Sequence, residues 1–451
     1  MDQKLSRLTK FVYGSGDLGF SLVGTIIGAY FLFFLTDVVG IKPAVAGIAI
    51  LIGRTWDYLN DPLIGHLSDR TRSKWGRRRP FLLFGALPFA LAFTLMWYRP
   101  PFDSQIALAV YYAAAYVLFD AAATFVYMPY FALTPELTEN YDERTSLTSY
   151  RMFFSILGSL VAFTVPLMIV GSFTPENSGK VLLMGAIFGL GSALPLLLVF
   201  FNTKEREVFI TQERPKFLES LKAAFKNKPF IFGAIIYLLT WVCMDILQTI
   251  LLFFIKYVLK LEGMSDIIMA LIFVTAIIAL PFWEYASRKL NKRMAYVYGV
   301  TFWAVAQILL ITVGPLVPMP VLVLLCVMAG IGISAAHVLP WAILPDAIEW
   351  DEYQTGKRHE GMFYSLVTLM GKIASSIAIP LTAIMLDVTG YIPNSLQQPA
   401  SALLGIRLLI GPVPAVFLTI SIIFALKYPL ERAQFSRIVK ELEERRENNL
   451  P

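Results

Sequence analysis

The sequence predicts an all-α membrane protein with twelve transmembrane helices in two six-helix bundles. Three observations support this fold class. Of the 451 residues, 57% are hydrophobic and only 16% are charged, whereas soluble domains are nearer half apolar and a quarter charged. Apolar runs of bilayer length recur twelve times along the chain. A pattern in the first half of the sequence also returns in the second half.

The predicted spans fall six and six on either side of a polar segment. We expect an N-terminal six-helix bundle at 1–201, a cytoplasmic central loop at 202–229, a C-terminal six-helix bundle at 230–427 and a cytoplasmic tail at 428–451. The central loop has the mixed charge of an amphipathic surface helix, and the tail is predicted to be a solvated helix that frays. The spans are predicted at 18–39, 44–67, 81–98, 105–129, 150–171, 181–201, 230–256, 266–287, 294–314, 319–345, 362–387 and 402–427.

Lysines and arginines are concentrated in the loops on one side of the predicted bundle. The loops after spans 2 and 8 hold six and four basic residues, whereas those after spans 1, 3 and 9 hold one, one and none. The N-terminal segment, with Lys4, Arg7 and Lys10, lies on the basic side. Because basic residues stay in the cytoplasm, we expect a multi-pass protein of the cell membrane with both termini cytoplasmic.

The basic loops also limit the classes of partner. The net charge of +6 does not indicate nucleic-acid binding, because these residues lie in short loops that set topology and contact phospholipids. Cys243 and Cys326 lie within apolar runs, which leaves no disulfide framework and no metal pattern.

No cleavable signal peptide is evident, since the first apolar run is too long for one. We expect a monomer in contact with membrane lipids.

Two pairs of segments carry the internal repeat. The stretch LFFLTDVVGI at residues 32–41 resembles LFFIKYVLKL at residues 252–261, an offset of 220 residues. Pro135-Glu136, followed fifteen residues later by MFFS, recurs as Pro345-Asp346 and MFYS at an offset of 210. An even-numbered half repeated in one orientation implies two bundles related by an axis along the membrane normal, with a substrate site between them. This architecture is typical of transporters.

Ionisable residues lie in span 2 at membrane depth, where a charge costs about 2.5–3.5 kcal/mol on insertion scales. Arg54, Asp57 and Asp61 fall within roughly a 60° arc of one helix face. Lys372 lies at a matching depth in span 11. Two carboxylates at positions i and i+4 supply oxygens that hold Na⁺ or share a proton, while Arg54 or Lys372 neutralises the vacant site. The alternative is a buried structural salt bridge, and a bridge that breaks on cation binding would satisfy both hypotheses.

Other polar and aromatic residues are candidates for substrate contact. Asp120 in span 4 and Asp245 in span 7 either line a cavity or add polarity to the bundle. Aromatic residues such as Tyr127 and Trp341 suit stacking on sugar rings, although aromatics at helical spacing more often pack. His337 is better explained as a hydrogen-bonded packing residue than as a proton relay. Charged residues near span ends are expected to reach toward the interface, and these are Asp17, Asp37, Arg151, Lys256 and Arg407.

The loop after span 2 reads GxxxDR and then GRRR. This pattern resembles the loop signature of the major facilitator superfamily, and it lies between the second and third of twelve spans, as in that superfamily. The resemblance implies the major facilitator fold. It also implies that the glycine lets helices approach closely and that the acid pairs with arginines as a gate. The gating candidates are Gly65, Asp69, Arg70, Arg77 and Arg78.

A finer resemblance is to the glycoside–pentoside–hexuronide:cation symporters, the family of melibiose permease. It covers all twelve spans and rests on TDVVG in span 1, WDxxNDP in span 2 and RSxWG in the following loop. The resemblance implies that Asp57 and Asp61 bind the coupling cation, with Lys372 nearby. Melibiose carriers place sugar-binding acids in spans 1 and 4, where this chain has Ser21 and Tyr127.

Two further likenesses concern the substrate. The motif GHLSDR followed by GRRRPF, with Asp120 in span 4, is similar to plant sucrose carriers. The span 4 sequences ATF and PY are similar to animal sodium-dependent lysophosphatidylcholine carriers, which share the fold. We therefore expect a non-enzymatic symporter of a sugar or glycoside, with Na⁺ or H⁺ as coupling ion and no other cofactor. A lipid or amphiphile carrier is the main alternative, and a non-transporting receptor is a third. The substrate-contact candidates are Ser21, Asp120, Tyr127, Asp245 and Trp341.

Overall fold

The computed structural model describes residues 5–138, 141–205, 224–356, 360–395, 397–430 and 432–448. Within these residues the chain forms helices and no β-strand. Ten of the helical segments are long and apolar enough to cross a membrane. The other two predicted spans are the first two helices of the chain, which carry the acids discussed below. All twelve predicted spans are therefore helical, and the predicted fold class is confirmed.

The first half of the chain forms six helices. The first, α1, is α-helical over Arg7–Ile26 and continues in π-helical turns over Ile27–Phe31 and Phe34–Val39. The remaining five are α2 (Pro43–Arg70), α3 (Arg79–Met96), α4 (Gln105–Leu137), α5 (Tyr141–Val170) and α6 (Ser178–Asn202). Serine side chains cap the first turn of two of these helices. Ser6 accepts the backbone N–H of Thr9 at the start of α1, and Ser104 accepts that of Ala107 at the start of α4.

The second half begins with α7 (Lys228–Phe253), which continues in π-helical turns over Phe254–Leu259. The helices that follow are α8 (Ser265–Leu290), α9 (Lys292–Leu310), α10 (Met319–Thr355) and α11 (Glu360–Val388). The twelfth span is broken into α12 (Ala400–Ile410) and α13 (Pro412–Leu426), because Pro412 has no N–H to donate to the preceding turn. The last helix, α14, covers Arg432–Asn448.

The predicted boundaries are wrong where helices continue beyond the apolar run. The fourth and tenth spans were expected to end at residues 129 and 345, but α4 reaches Leu137 and α10 reaches Thr355. An apolar run marks only the part of a helix inside the hydrocarbon, and these helices continue into the polar interface. The surface helix expected within 202–229 falls mostly on residues 206–223, outside the described part of the chain.

The backbone confirms the first sequence repeat. The π-helical turns at Phe34–Val39 and Phe254–Leu259 are 220 residues apart, as are the left-handed residues that follow them, Gly40 (φ 87°) and Lys260 (φ 57°). In both copies the next N–H bonds back to an equivalent carbonyl, from Ile41 to Leu35 and from Leu261 to Ile255. The weak similarity between residues 32–41 and residues 252–261 therefore reflects the same type of helix ending in both halves.

The chain divides into two compact units. The first contains Met1–Gln212, Leu251–Ala270 and Ile379–Gly405. In it, α1 packs on α5 and α6, α2 packs on α4, and α3 packs on α4 and α6. The first unit therefore joins the first six helices to the end of α7 and to the connection between α11 and α12.

The second unit contains Glu213–Ile250, Leu271–Ala378 and Ile406–Pro451. Its core includes the fully buried Trp303 of α9, and α9 packs on α10 and α13. The prediction that the tail is solvated and frays is wrong for α14, because Ile438 and Leu442 are buried in this core. An amphipathic helix with charged outer positions looks solvated in sequence, since the few apolar residues that dock it are outnumbered. Both cysteines are free and buried, as expected.

Candidate functional site

The acidic face of α2 is positioned by its packing against α4. A Cβ on Gly53 would lie 2.6 Å from three side-chain atoms of Tyr116 and would collide with them. The glycine therefore allows α2 and α4 to pack closely at this point. Further along the same helices, Asp61 faces Thr124. The two residues of each contact, Gly53 with Tyr116 and Asp61 with Thr124, are separated by 63 positions in the sequence. A constant separation means that α2 and α4 run parallel to each other.

This register brings three side-chain oxygens together. The hydroxyl of Thr124 lies 3.3 Å from Oδ1 of Asp57 and 3.3 Å from Oδ1 of Asp61. Ligands about 2.4 Å from a cation in near-octahedral geometry are about 3.4 Å apart, so these separations fit a small hard cation. Asn60 is buried beside them, and its amide donates to the backbone carbonyl of Asp120 at 3.5 Å. The predicted acids are therefore joined by Thr124, which the sequence analysis missed.

The predicted charge partners lie on different units. The guanidinium of Arg54 stands over the ring of Tyr116, 5.9 Å from its centroid, on the same helix as the two acids. Lys372 belongs to α11 in the second unit, where its backbone carbonyl accepts the hydroxyl of Ser376 at 3.0 Å. The role of Lys372 as a partner of Asp57 and Asp61 stays a prediction.

Three of the predicted substrate contacts lie on the first unit, namely Ser21, Asp120 and Tyr127, and the first and last of these are in tight surroundings. The hydroxyls of Ser21 and Ser155 are 2.6 Å apart, which links α1 to α5. Tyr127 is only 3% exposed, and its ring packs edge-on against Phe20 and Phe89. In this structure Tyr127 forms part of an aromatic core, and a role in substrate contact stays a prediction.

The second unit presents an aromatic cluster formed by α7 and α10. Tyr237 stacks on Trp241 with 4.7 Å between ring centroids, and Trp241 stacks on His337 at 5.4 Å. Trp341 meets Tyr237 edge-on and is 36% exposed. Near this cluster in sequence, Asp245 accepts a hydrogen bond from Ser375. His337 therefore packs through its ring face, which agrees with the packing role expected of it, and its side chain is exposed. The hydrogen bond expected of this histidine stays a prediction.

Charged residues near span ends behave differently from the expectation that they reach toward the interface. The guanidinium of Arg151 on α5 binds the carboxylate of Asp17 on α1, and the hydroxyl of Tyr130 donates to the same carboxylate at 3.2 Å. Arg407 donates to the carbonyls of Ile311 and Val313 beyond the end of α9. The expectation fails for these residues because each has a partner on a neighbouring element, which proximity to a span end cannot reveal.

The basic loop between α2 and α3 is fastened to the end of α6. The carboxylate of Glu205 accepts the backbone N–H groups of Arg77 (2.7 Å), Arg78 (2.8 Å) and Arg79 (2.9 Å). Gly76, with φ of 102°, turns the backbone so that these N–H groups converge on one anion. In the sequence, Glu205 is one charge among several in a polar loop, so this contact was not predicted.

The predicted gating residues occupy this loop and the last turns of α2. Arg78 is buried and donates to Ser68, while Arg70 is exposed. The side chain of Asp69 lies outside the described residues, so its pairing with arginines stays a prediction. A Cβ on Gly65 would meet no described atom within 4 Å, so the close helix approach expected at this glycine is not found.

Replacing Glu205 with glutamine is expected to lower the stability of the first unit by about 1–3 kcal/mol. The amide keeps the size of the side chain but loses the charge and one of the two acceptors that serve three N–H groups. The midpoint of thermal unfolding of the purified protein in detergent measures the effect. Glu176→Gln, at an exposed residue before α6, is the matched control. Equal midpoints for the two variants would contradict the role assigned to Glu205.

Twelve membrane helices, a repeated half and paired carboxylates within a transmembrane helix define a secondary transporter of the major facilitator fold. The chain belongs to the MFS/sugar transport protein family, whose model matches residues 12–432. It is 33% identical to an uncharacterized symporter of Synechocystis over 99% of this chain and 98% of the relative. The solved inward-open structure of the xylose transporter XylE from E. coli is 12% identical, has a TM-score of 0.66, and matches over 96% of this chain and 98% of the other.

Two characterised relatives differ in what their names say they carry. The isoprimeverose transporter of Lactiplantibacillus pentosus is 27% identical over 97% of this chain and 91% of the relative. The sodium-dependent lysophosphatidylcholine symporter 1-A of Danio rerio is 27% identical over 99% of this chain and 88% of the relative. Sequence identity alone therefore does not choose between a sugar and a lysolipid for this chain.

Proposed function

We propose that this protein is a secondary active transporter that couples cation entry to the uptake of a sugar or glycoside by alternating access. The observation that carries the proposal is the convergence of three oxygens, from Asp57, Asp61 and Thr124, between two transmembrane helices. Carboxylates within a membrane helix are energetically costly, and those that occur there usually belong to an ion or substrate pathway. The family and the symporters among its relatives support the same activity.

The arrangement favours sodium over a proton as the coupling ion. A proton needs only one carboxylate, whereas Na⁺ needs several oxygens around one point. Asp57 and Asp61 supply charge, and the hydroxyl of Thr124 supplies a neutral oxygen that has only one hydrogen to donate between two acceptors. When the cation leaves, Arg54 on the same helix neutralises the acids, and Lys372 is the second candidate for this role.

The substrate class rests on the aromatic cluster of the second unit and on one relative. The exposed side chains of His337 and Trp341 offer flat surfaces to a sugar ring, and Asp245 and Ser375 supply hydroxyl-binding groups on α7 and α11. The relative that transports isoprimeverose by name supports a glycoside. The relative named for sodium-dependent lysophosphatidylcholine symport makes a lysolipid the second candidate.

Uptake by proteoliposomes tests the proposal. Purified protein is reconstituted and supplied with radiolabelled isoprimeverose, melibiose, sucrose or xylose, with and without imposed sodium and pH gradients. We expect one of the glycosides to accumulate only when a sodium gradient is present. Lysophosphatidylcholine uptake in place of sugar uptake would select the lipid carrier, and accumulation driven only by a pH gradient would overturn the sodium assignment. Transport by this mechanism needs no covalent chemistry and no cofactor besides the coupling ion.

The orientation of the chain is a separate prediction. We place the basic loop between α2 and α3, and both termini, in the cytoplasm of a cell-membrane protein. Single cysteines at Ser73, in that loop, and at Leu316, which is 96% exposed between α9 and α10, are introduced after Cys243 and Cys326 are replaced by alanine. A membrane-impermeant maleimide is expected to label only the cysteine at position 316 in intact cells. Labelling at position 73 alone would reverse the orientation.

A further inference from the structure

The carboxylate of Asp37 is enclosed near the end of α1. The residue is 1% exposed, although its position near a span end led us to expect contact with the interface. The hydroxyl of Tyr391 donates to Oδ2 at 2.6 Å, and that of Thr36 donates to the same oxygen at 2.8 Å. The hydroxyl of Tyr257 and the backbone N–H of Asn394 donate to Oδ1. Both carboxylate oxygens are therefore held by donors from three different parts of the chain.

Lys256 completes this cluster as the balancing charge. Its ammonium lies 3.5 Å from Oδ1 of Asp37, 3.2 Å from Oδ1 of Asn394 and 3.4 Å from Oε1 of Glu262. It also stands over the ring of Phe33, 5.1 Å from the centroid. The ammonium is buried, so an aspartate–lysine pair is maintained away from water with most of its hydrogen-bonding capacity used.

The cluster joins the two halves of the sequence inside the first compact unit. Asp37 and Tyr257 occupy equivalent positions of the 220-residue repeat, and so do Thr36 and Lys256. Tyr391 and Asn394 come from the connection between α11 and α12, which also belongs to the second half. Repeat-related π-helical turns therefore meet one another, with side chains of opposite charge at neighbouring positions. Widened turns of this kind are frequent at functional sites.

The cluster lies at the opposite end of the membrane from the basic loop. The helix α2 begins at Pro43, just after the π-helical end of α1, and runs for 28 residues before the basic loop begins. At 1.5 Å per residue this helix is about 42 Å long, which is enough to cross a bilayer. The Glu205 contact and the Asp37 cluster therefore lie at opposite ends of α2.

We propose that Asp37, Lys256, Tyr257, Tyr391 and Asn394 form a latch that closes one end of the transport path and opens once in every cycle. The proposal rests on the proposed function, since alternating access requires elements of the two halves to part at this end. A buried ion pair is a poor device for stability, because apolar residues would serve as well or better. An ion pair does suit a contact that forms and breaks, because it specifies its partners when closed and its charged side chains are well hydrated when open.

Reversible cross-linking across the latch tests whether it opens. Phe33 on α1 and Phe253 on α7 are adjacent, with 4.7 Å between ring centroids, and neither contributes a hydrogen bond to Asp37. Both are replaced by cysteine in a background lacking Cys243 and Cys326 and treated with a short bis-methanethiosulfonate reagent. We expect uptake of the glycoside identified above to be lost on cross-linking and restored by dithiothreitol. Unchanged uptake by fully cross-linked protein would overturn the latch.

A second measurement does not depend on transport. Spin labels at Phe102 and Leu316, two exposed residues in the α3–α4 and α9–α10 loops, report the distance distribution at the latch end. We expect Asp37→Asn to shift this distribution to longer distances, while Lys42→Met, an exposed control, leaves it unchanged. Because Asp37→Asn leaves a buried ammonium, the double variant Asp37→Asn, Lys256→Met is included to recover folded protein.

The two measurements separate the latch from the proposed function. If the parent protein transports none of the sugars, the transport proposal fails, and the spin-label distances alone decide the latch. A longer distance in Asp37→Asn or in the double variant supports the latch. Identical distributions in Asp37→Asn, the double variant, the Lys42→Met control and the parent protein would overturn it, because the cluster would then be a static contact.

Discussion

Asp57→Asn and Asp61→Asn are each expected to abolish accumulation of substrate against its gradient. Asparagine preserves the size of the side chain and one oxygen but removes the charge that makes the site attractive to a cation. Without a bound cation, the positive charge of Arg54 is no longer displaced from the acids, and the coupled step is lost. Exchange of substrate across the membrane needs no net ion movement and is expected to persist in part.

The measurement compares sodium-driven accumulation with substrate exchange in the same proteoliposomes. Asp103→Asn, an exposed acid in the loop before α4, is the matched control and should accumulate substrate at the parent level. Accumulation by both variants with an unchanged sodium requirement would refute the assignment. Asp120 or Asp245 would then become the candidate for the coupling residue.

Thr124 offers a finer test of the same site. Thr124→Val keeps the branched shape and removes the hydroxyl that lies 3.3 Å from both carboxylates, whereas Thr124→Ser keeps the oxygen. We expect valine to raise the sodium concentration for half-maximal uptake by about tenfold or more, equivalent to about 1.4 kcal/mol, and serine to change it little. Equal sodium dependence in the two variants would remove Thr124 from the site.

Asp17→Asn is expected to lower the stability of the first unit strongly. Removing one partner of a buried ion pair leaves an uncompensated charge and costs about 3–5 kcal/mol. Here the isolated charge is the guanidinium of Arg151, which stands over Phe131 and binds Asp17 through two nitrogens. The hydroxyl of Tyr130 would also lose its charged acceptor.

A double-mutant cycle measures the loss of stability caused by breaking the Asp17–Arg151 pair. The measured quantities are the midpoint of thermal unfolding and the yield of monodisperse protein. Arg151→Gln alone should also destabilise, while Asp17→Asn combined with Arg151→Gln should recover most of the loss, because no charge is then left buried. Destabilisation by the double variant equal to the sum of the two single variants would show that the pair does not act as a unit.

The sequence predicted the features that repeat or that conflict with their surroundings. Twelve apolar runs predicted the helices, and three charges on one face of span 2 indicated the proposed ion site, because charges in an apolar run are rare. Thr124 was missed since a threonine in an apolar helix is ordinary, and only the register of α4 against α2 places its hydroxyl beside the two acids. Glu205 was missed for a similar reason, as its partners are backbone groups that no residue pattern reveals.

Partners that are distant in sequence were the second source of error. Asp17 and Arg151 are 134 residues apart, and Asp37 and Tyr391 are 354 apart. Each of these residues alone looks like a charge or a phenol near a membrane interface, for which the usual expectation is contact with headgroups. A pairing between helices needs the arrangement of the helices, and one sequence supplies their number and direction without their packing.

The composition of the first compact unit has a consequence for how the protein is made. Its last segment, Ile379–Gly405, is translated after most of the second half of the chain, including α7 to α10. A ribosome adding about 5–20 residues per second needs about 10–40 s to proceed from residue 205 to residue 405. During that interval the first six helices are already in the bilayer, while Asp37 still lacks Tyr391 and Asn394. Completion of the first unit is therefore a late event in biosynthesis. Until Tyr391 and Asn394 are made, the carboxylate of Asp37 must be solvated by water, lipid headgroups or the insertion machinery.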